Sequence, residues 1–282
     1  MEEIMMNESD FGDIVATMDE TLLEREIRRP DRLEILSGAA GRLPFQMAWA
    51  PFGHVNRTAR LAIIGITPGR EQMGTSLRRY RRARQEGLDH AQADVLGKAT
   101  GSFSGGMRAT LVRCLDEVGM NRHLGIASTS SLWGVHNGLV HFSSALRWPI
   151  FVEGRGKDAG KMVNYTGASP KPLKVPEFRR VIEEVLVPEL RELADDCLIA
   201  PLGDAANQMV MHALSLMPGF DHSRYLAWMP HPSGGNRDIS SQFLGDPPSP
   251  SRVKPLNPLY RQQAMSMRAQ LANRAMTGAA AS

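Results

Sequence analysis

Leu61-Ala62-Ile63-Ile64-Gly65-Ile66-Thr67-Pro68-Gly69 is the stretch whose reading decides the fold. An unbroken apolar run closed by Pro-Gly is too short for a helix, and it lacks the polar alternation of a strand with one wet face. It therefore reads as a strand buried on both faces, the kind found in parallel sheets between layers of helix. Cys197-Leu198-Ile199-Ala200-Pro201-Leu202-Gly203 repeats the pattern. A shorter strand is expected from Tyr225 to Met229, ending at Pro230-His231-Pro232, and another, with its approach loop, from Ser131 to Phe142. Helical patterns lie between: an exposed basic one over 76–86, one over 106–118, one over 177–194 with Pro188 marking a kink, and one from about Asp204 to Leu216. Strands alternating with helices predict an α/β fold, a three-layer α/β/α sandwich around a central, mainly parallel sheet. Ligands of such sheets bind beyond the carboxyl ends of the strands.

Further out, Met18, Leu22, Leu23, Ile27, Leu33 and Leu36 recur at mixed three- and four-residue spacing, interrupted at Pro30, and predict two helices flanking the core. The chain thus divides into a helical extension over 1–45, a core domain over 46–245, and a Pro/Ser-rich linker with a terminal helix over 246–282. Residues 153–176, rich in Gly, Pro and Lys, read as a long loop. A chain of 282 residues, 42% hydrophobic, is large enough for one substantial core. Cys114 and Cys197 make neither a Cys-x-x-Cys pair nor a disulfide framework, and no stretch approaches the roughly 20 apolar residues of a membrane span. With no secretory leader at the acidic N-terminus, the expectation is a cytoplasmic monomer. Residues 1–40 hold 4 Arg against 11 Asp and Glu, a balance of −7, so the net +3 leaves +10 on residues 41–282. A basic body suits a polyanionic partner.

Three loops carry the chemistry. Gly65-Ile66-Thr67-Pro68-Gly69 ends the first strand, where its backbone faces the ligand crevice; alone it is an ordinary Pro-Gly turn. Gly101-Ser102-Phe103-Ser104-Gly105-Gly106 holds an aromatic residue among small ones just before a helix. His231-Pro232-Ser233-Gly234-Gly235-Asn236 follows another strand and ends in a Gly-rich turn. In this order and context the three resemble the uracil-DNA glycosylase superfamily over roughly residues 60–240. Leu202-Gly203-Asp204-Ala205-Ala206 is similar to that family's strand-to-helix segment.

The resemblance implies a monofunctional DNA glycosylase without cofactor or metal, which flips a pyrimidine nucleotide and hydrolyses its N-glycosidic bond. It places Ile66, Pro68 and Phe103 around the extruded base, with Phe103 stacking on it, Asn137 reading it, and His231 as a catalytic group. Bond cleavage leaves a base anion, which a preorganised donor such as His231 stabilises. Where the most active relatives carry Asp, and others Asn, this chain has Thr67, whose hydroxyl positions water but is no general base near neutral pH. Glu71 and Asp238 are the carboxylates available for that task. Ser233, Gly234, Asn236 and Arg237 extend the histidine loop toward DNA without the apolar wedge of some relatives, which favours single-stranded or weakly paired substrate. Arg78, Arg79, Arg81 and Arg82, with Arg84, crowd one helix; like charges at i,i+3 and i,i+4 cost roughly 0.2–0.5 kcal/mol per pair unless a phosphate backbone offsets them.

Other chemistries lack their signatures. No Gly-x-Ser-x-Gly elbow, P-loop or His-Glu-x-x-His occurs. The iron–sulfur branch that Phe103-Ser104-Gly105-Gly106 resembles uses four cysteines, and only two are present. Two questions stay open at this level: whether the base is uracil or a modified cytosine, such as a glucosylated hydroxymethylcytosine in phage DNA, and whether the fold turns over or only binds DNA.

Overall fold

The computed structural model describes residues 7–41, 43–247 and 257–279. Two helices open the chain, α1 (Glu8–Thr17) and α2 (Glu20–Arg28), each started by an acceptor side chain, Asn7 to the amide of Ser9 and Asp19 to that of Leu22. Strands β1 (Glu34–Ala40) and β2 (Leu43–Ala48) follow, then β3 (Leu61–Gly65). Helices α3 (Arg70–Gln85), α4 (His90–Gly101), α5 (Met107–Glu117) and α6 (Met120–Leu124) lead to β4 (Val140–Ser144), β5 (Ile150–Glu153) and β6 (Met162–Asn164). The remainder is α7 (Pro176–Val181), α8 (Val187–Arg191), β7 (Leu198–Pro201), α9 (Asp204–Ser215), α10 (Arg237–Leu244) and α11 (Pro258–Ala279).

β3 is buried at all five positions and pairs in parallel with β4 on one side, Gly65 opposite Ser144, and with β7 on the other, Leu61 opposite Leu198. Single parallel bridges, Ile199 to Tyr225 and Leu202 to Met229, add the segment 225–229 beyond β7. The two faces of β3 serve two cores. Ala62 and Ile64 pack with Trp49, Leu77, Phe178 and Met209, whereas Leu61 and Ile63 pack with Leu111, Leu115, Phe142 and Phe243. Helices therefore cover the parallel sheet on both faces, as a continuous apolar strand demands.

A second sheet, β1-β2-β5-β6, is antiparallel throughout and corrects the expectation of one mainly parallel sheet. Residues 34–40, expected to be helical, form its edge strand, and the supposed loop over 153–176 contributes β6. Gly38 suits neither state and Ala39 favours helix, so pairing with β2 decides against the local preference. The boundary drawn at 45/46 runs through β2, so this part of the extension is integral to the second sheet. The strand expected from Ser131 to Phe142, β4, begins only at Val140, after short 3-10 turns at Thr129–Trp133 and Asn137–Leu139.

Pro188 sits in the first turn of α8, and the segment before it, Ile182–Leu186, widens into a π turn. The ring lacks an N–H and crowds the carbonyl four residues back, which loosens the helix there. The terminal helix packs Ala264, Met267 and Leu271 on the second core, while most of the Pro/Ser-rich linker lies outside the described residues. Among the described residues no helix is long and apolar enough to cross a membrane.

Candidate functional site

The carboxyl ends of β4, β3, β7 and segment 225–229 lie side by side, so Ser144, the Gly65–Gly69 turn, Gly203 and His231 share one edge of the sheet. A Cβ on Gly65 would stand 3.3 Å from both the Phe103 ring and Ser144 Oγ; glycine is what lets Phe103 close over the strand end. Phe103 is buried at positive φ, +50°, and meets Phe142 edge-on at 5.7 Å. Beneath it lies a cavity of about 10 Å³ lined by Pro68, Gln72, Phe103, Ser143, Ser144 and Arg147, with room for about one water.

Gly69 starts α3 with no side chain of its own to cap it, and Asn164 of β6 does so instead, accepting from the Arg70 amide at 3.0 Å. Thr67 is likewise committed. Its hydroxyl donates to Trp148 O (2.8 Å) and accepts from the Ile150 amide (3.2 Å), tying the end of β3 to the start of β5. This bridge between the sheets corrects the expectation of a hydroxyl reserved for water. Ile66 is also structural: it belongs to the first core and packs against Gly167.

On the far side, Met229 is fixed by the amide of Gly203, which donates to its carbonyl at 2.6 Å. Gly203 holds φ +83°, and a Cβ there would lie 3.2 Å from that of His231. The loop that follows is locked by Asn236, whose amide donates to His231 O and Ser233 Oγ, both at 3.2 Å. Burial pushes the His231 pKa down, so the ring is neutral at neutral pH. The Ser233 amide donates to Nδ1 (3.4 Å), which puts the remaining proton on Nε2.

Between this loop and α5 runs a cleft of about 560 Å³, lined among others by Glu71, Ser104, Arg113, Ser233, Gly234 and Arg237. α5 and α10 begin there without side-chain caps, and Ser104 and Ser240, both on the cleft wall, keep buried Oγ atoms without partners among the described residues. Glu71 lies on this wall. Asp238 does not line the cleft, although it sits in the first turn of α10. Among the described residues no group of three His, Cys, Asp or Glu side chains is placed to hold a metal ion.

Two expectations require correction. Asn137 is exposed and precedes β4, at the opposite end of the strand from Pro68 and Phe103; it lines a separate cavity with His54 and Lys98. The basic helix is paired internally: Arg78 with Glu24 (2.7 Å), Arg81 with Glu20, Arg84 with Asp13 (both 2.9 Å), and Arg79 and Arg82 with Glu86 (3.4 and 2.9 Å). The acidic N-terminal helices thus face three of the five arginines and Glu86 serves the other two, so no phosphate is needed to relieve their repulsion.

The sequence reading missed Gln72, Ser143 and Arg147. Arg147 is anchored by Glu189, whose Oε2 accepts from its Nη2 at 2.7 Å and Nε at 3.2 Å, and by Glu8 at 3.3 Å. Glu189 Oε1 meets His141 Nε2 at 2.8 Å, and His141 Nδ1 accepts from the Asn56 amide at 3.3 Å. Burial drives the His141 pKa to about 4, so a neutral ring donates to a charged carboxylate. A polar residue at the carboxyl end of β4 was the available signal for Ser143.

The chain is 32% identical over 189 residues to the uncharacterized protein YoxB of Bacillus subtilis (strain 168), covering 67% of this chain and 70% of YoxB. The chain belongs to the YoxB family. No family model matches it. Among solved structures, that of wild-type SMUG2 from Pedobacter heparinus aligns with a TM-score of 0.40 at 12% identity, covering 97% of this chain and 100% of that one.

Proposed function

We propose that this YoxB-family chain is a monofunctional DNA glycosylase, which extrudes a nucleotide and hydrolyses the bond between base and sugar. The observation that carries the reading is the neutral His231, held by Asn236 and Ser233 at the same sheet edge as the Phe103 cavity. The ends of β3 and segment 225–229 are two strand spacings apart, about 10 Å, a gap that suits a nucleotide. In this reading the C1′–N bond breaks with its electron pair leaving on the base, and His231 Nε2–H stabilises the anion. Water adds to C1′ and Glu71, the carboxylate on the cleft wall, takes its proton. Arg237, Ser233 and Gly234 face the flanking phosphates, and the base is uracil or a modified cytosine.

Base entry requires the Phe103 loop to open, because the closed cavity of about 10 Å³ admits no base. That closure and the committed Thr67 hydroxyl favour, as a second reading, a DNA-binding module without turnover. Purified protein incubated with oligonucleotides carrying uracil, and with phage DNA carrying hydroxymethylated or glucosylated cytosine, followed by alkali, separates the two. Strand breaks that disappear with His231→Ala support the glycosylase. Intact strands throughout, with salt-sensitive binding retained, support the binding module.

A further inference from the structure

Lys98 stands apart among the buried charges of the core. It is 4% exposed, and its ammonium donates to His54 O at 2.6 Å. That is one bond for three N–H groups, and no carboxylate lies within 4.0 Å of it among the described residues. The carboxylates whose charge it feels are committed elsewhere. Both oxygens of Glu189 serve Arg147 and His141, and Asp94 accepts from the Gly53 amide at 3.3 Å. A buried ammonium is normally paired, because water no longer offsets its charge.

Lys98 lines a cavity of about 70 Å³ at the end of β4 opposite Phe103. His54 and the exposed Asn137 line it too, and neither side chain has a hydrogen-bond partner among the described residues. Val95, Ala99 and Leu132 supply apolar wall. Burial, with Lys98 and Arg57 nearby, pushes the His54 pKa down, so the ring is neutral and keeps one N–H to donate.

We propose that this cavity is a binding site for a small monocarboxylate, held by Lys98 Nζ, His54 and the Asn137 amide. The site is separate from the sheet edge and does not depend on the glycosylase reading. Three features choose the ligand. One cation and two further donors line a single space, and a carboxylate brings two charged oxygens to them. The volume is about half that of a cavity which takes benzene, so the ligand has about four non-hydrogen atoms, too few for a nucleotide or a sugar phosphate. Glu189 and Asp94 already set negative charge near Lys98, which disfavours a doubly charged anion such as phosphate.

The test is thermal unfolding of the full chain in sodium acetate at constant ionic strength. Acetamide serves as the uncharged analogue, and sodium chloride and sodium phosphate as other anions. Acetate should raise Tm saturably, by about 5 °C or more at a hundredfold excess over its Kd, and acetamide should not. Lys98→Met should abolish the shift. Asn137→Asp sets a like charge on the rim at an exposed position; it should weaken acetate about tenfold while leaving Tm in chloride within about 2 °C of wild type. No shift, a shift common to all the salts, or one retained in Lys98→Met overturns the inference. Tighter binding of phosphate or chloride than of acetate overturns the choice of a carboxylate. If Lys98→Met does not fold, Asn137→Asp decides, and unchanged acetate affinity there overturns the inference. Base excision is read by a different assay, so each of these results leaves the glycosylase reading where it stands.

Discussion

Replacing Glu189 with glutamine removes one negative charge from the centre of the molecule and almost no volume. The carboxylate is fully buried, 2.7 Å from Arg147 Nη2 and 2.8 Å from His141 Nε2, and the Arg147 side chain is itself only 15% exposed. Burial works against the charge, yet Arg147, then Lys98 and His141, hold the Glu189 pKa well below the usual carboxylate range. At an effective dielectric near 20, a unit pair about 4 Å apart is worth about 4 kcal/mol, and breaking a buried pair from one side typically costs about 3–5 kcal/mol. Glutamine keeps one oxygen for Arg147 but turns its NH₂ toward a second donor, so the expected loss is about 3 kcal/mol. Urea denaturation of the full chain reads this directly, and Tm should fall by roughly 6–12 °C. The depressed pKa adds a sign: this stabilisation is present above about pH 4.5 and is lost as pH falls through the folded-state value. A loss under about 1 kcal/mol would refute the reasoning and mean that water already shields Arg147.

Three shorter predictions concern the sheet edge and the buried histidine. Thr67→Val should cost about 1–3 kcal/mol by removing the bridge to Trp148 and Ile150, with excision slowed less than about tenfold; an unchanged stability with a collapse in rate would return Thr67 to water positioning. Gly203→Ala places a side chain at φ +83° against His231, so it should cost about 1–2 kcal/mol and depress excision beyond that of a buried Gly→Ala control elsewhere. His141 has its pKa lowered from 6.5 to about 4, so only the unfolded chain takes up this proton over that interval, and stability should fall from pH 6.5 toward 4 by up to about 3 kcal/mol; a flat profile in denaturation at stepped pH would contradict the neutral assignment.

The parallel half of the fold was legible because β3 and β7 are continuous apolar runs ending in turn residues, a pattern with few alternative readings. The antiparallel half was not. Leu33 and Leu36 stand at helical spacing, and Ser37, Gly38 and Ala39 offer no alternation to contradict it; only the partner strand makes them β1. The same lateness of signal misplaced Asn137. With the strand expected to end near Phe142, Asn137 was the amide at hand, but β4 starts at Val140, which carries Ser143 and Ser144 to the working edge and leaves Asn137 at the other. Gln72 was hidden in the first turn of a helix read as merely basic. The pairing of Arg78, Arg81 and Arg84 was invisible for a simpler reason, since Glu24, Glu20 and Asp13 lie some fifty to seventy residues away.

That pairing also bears on how the protein would feel a polyelectrolyte. A nucleic acid bound by five free arginines would shed a condensed ion for nearly every contact, and its affinity would fall steeply with added salt. Here Asp13, Glu20 and Glu24 of the N-terminal helices, together with Glu86, act as covalently attached counter-ions for α3, so those ions have no bound phosphate to leave. The salt exponent of DNA binding should then count only the few cations at the cleft, a slope nearer −2 than roughly −5. On the glycosylase reading, affinity would then depend on the fit of one extruded nucleotide rather than on the length of the strand that carries it.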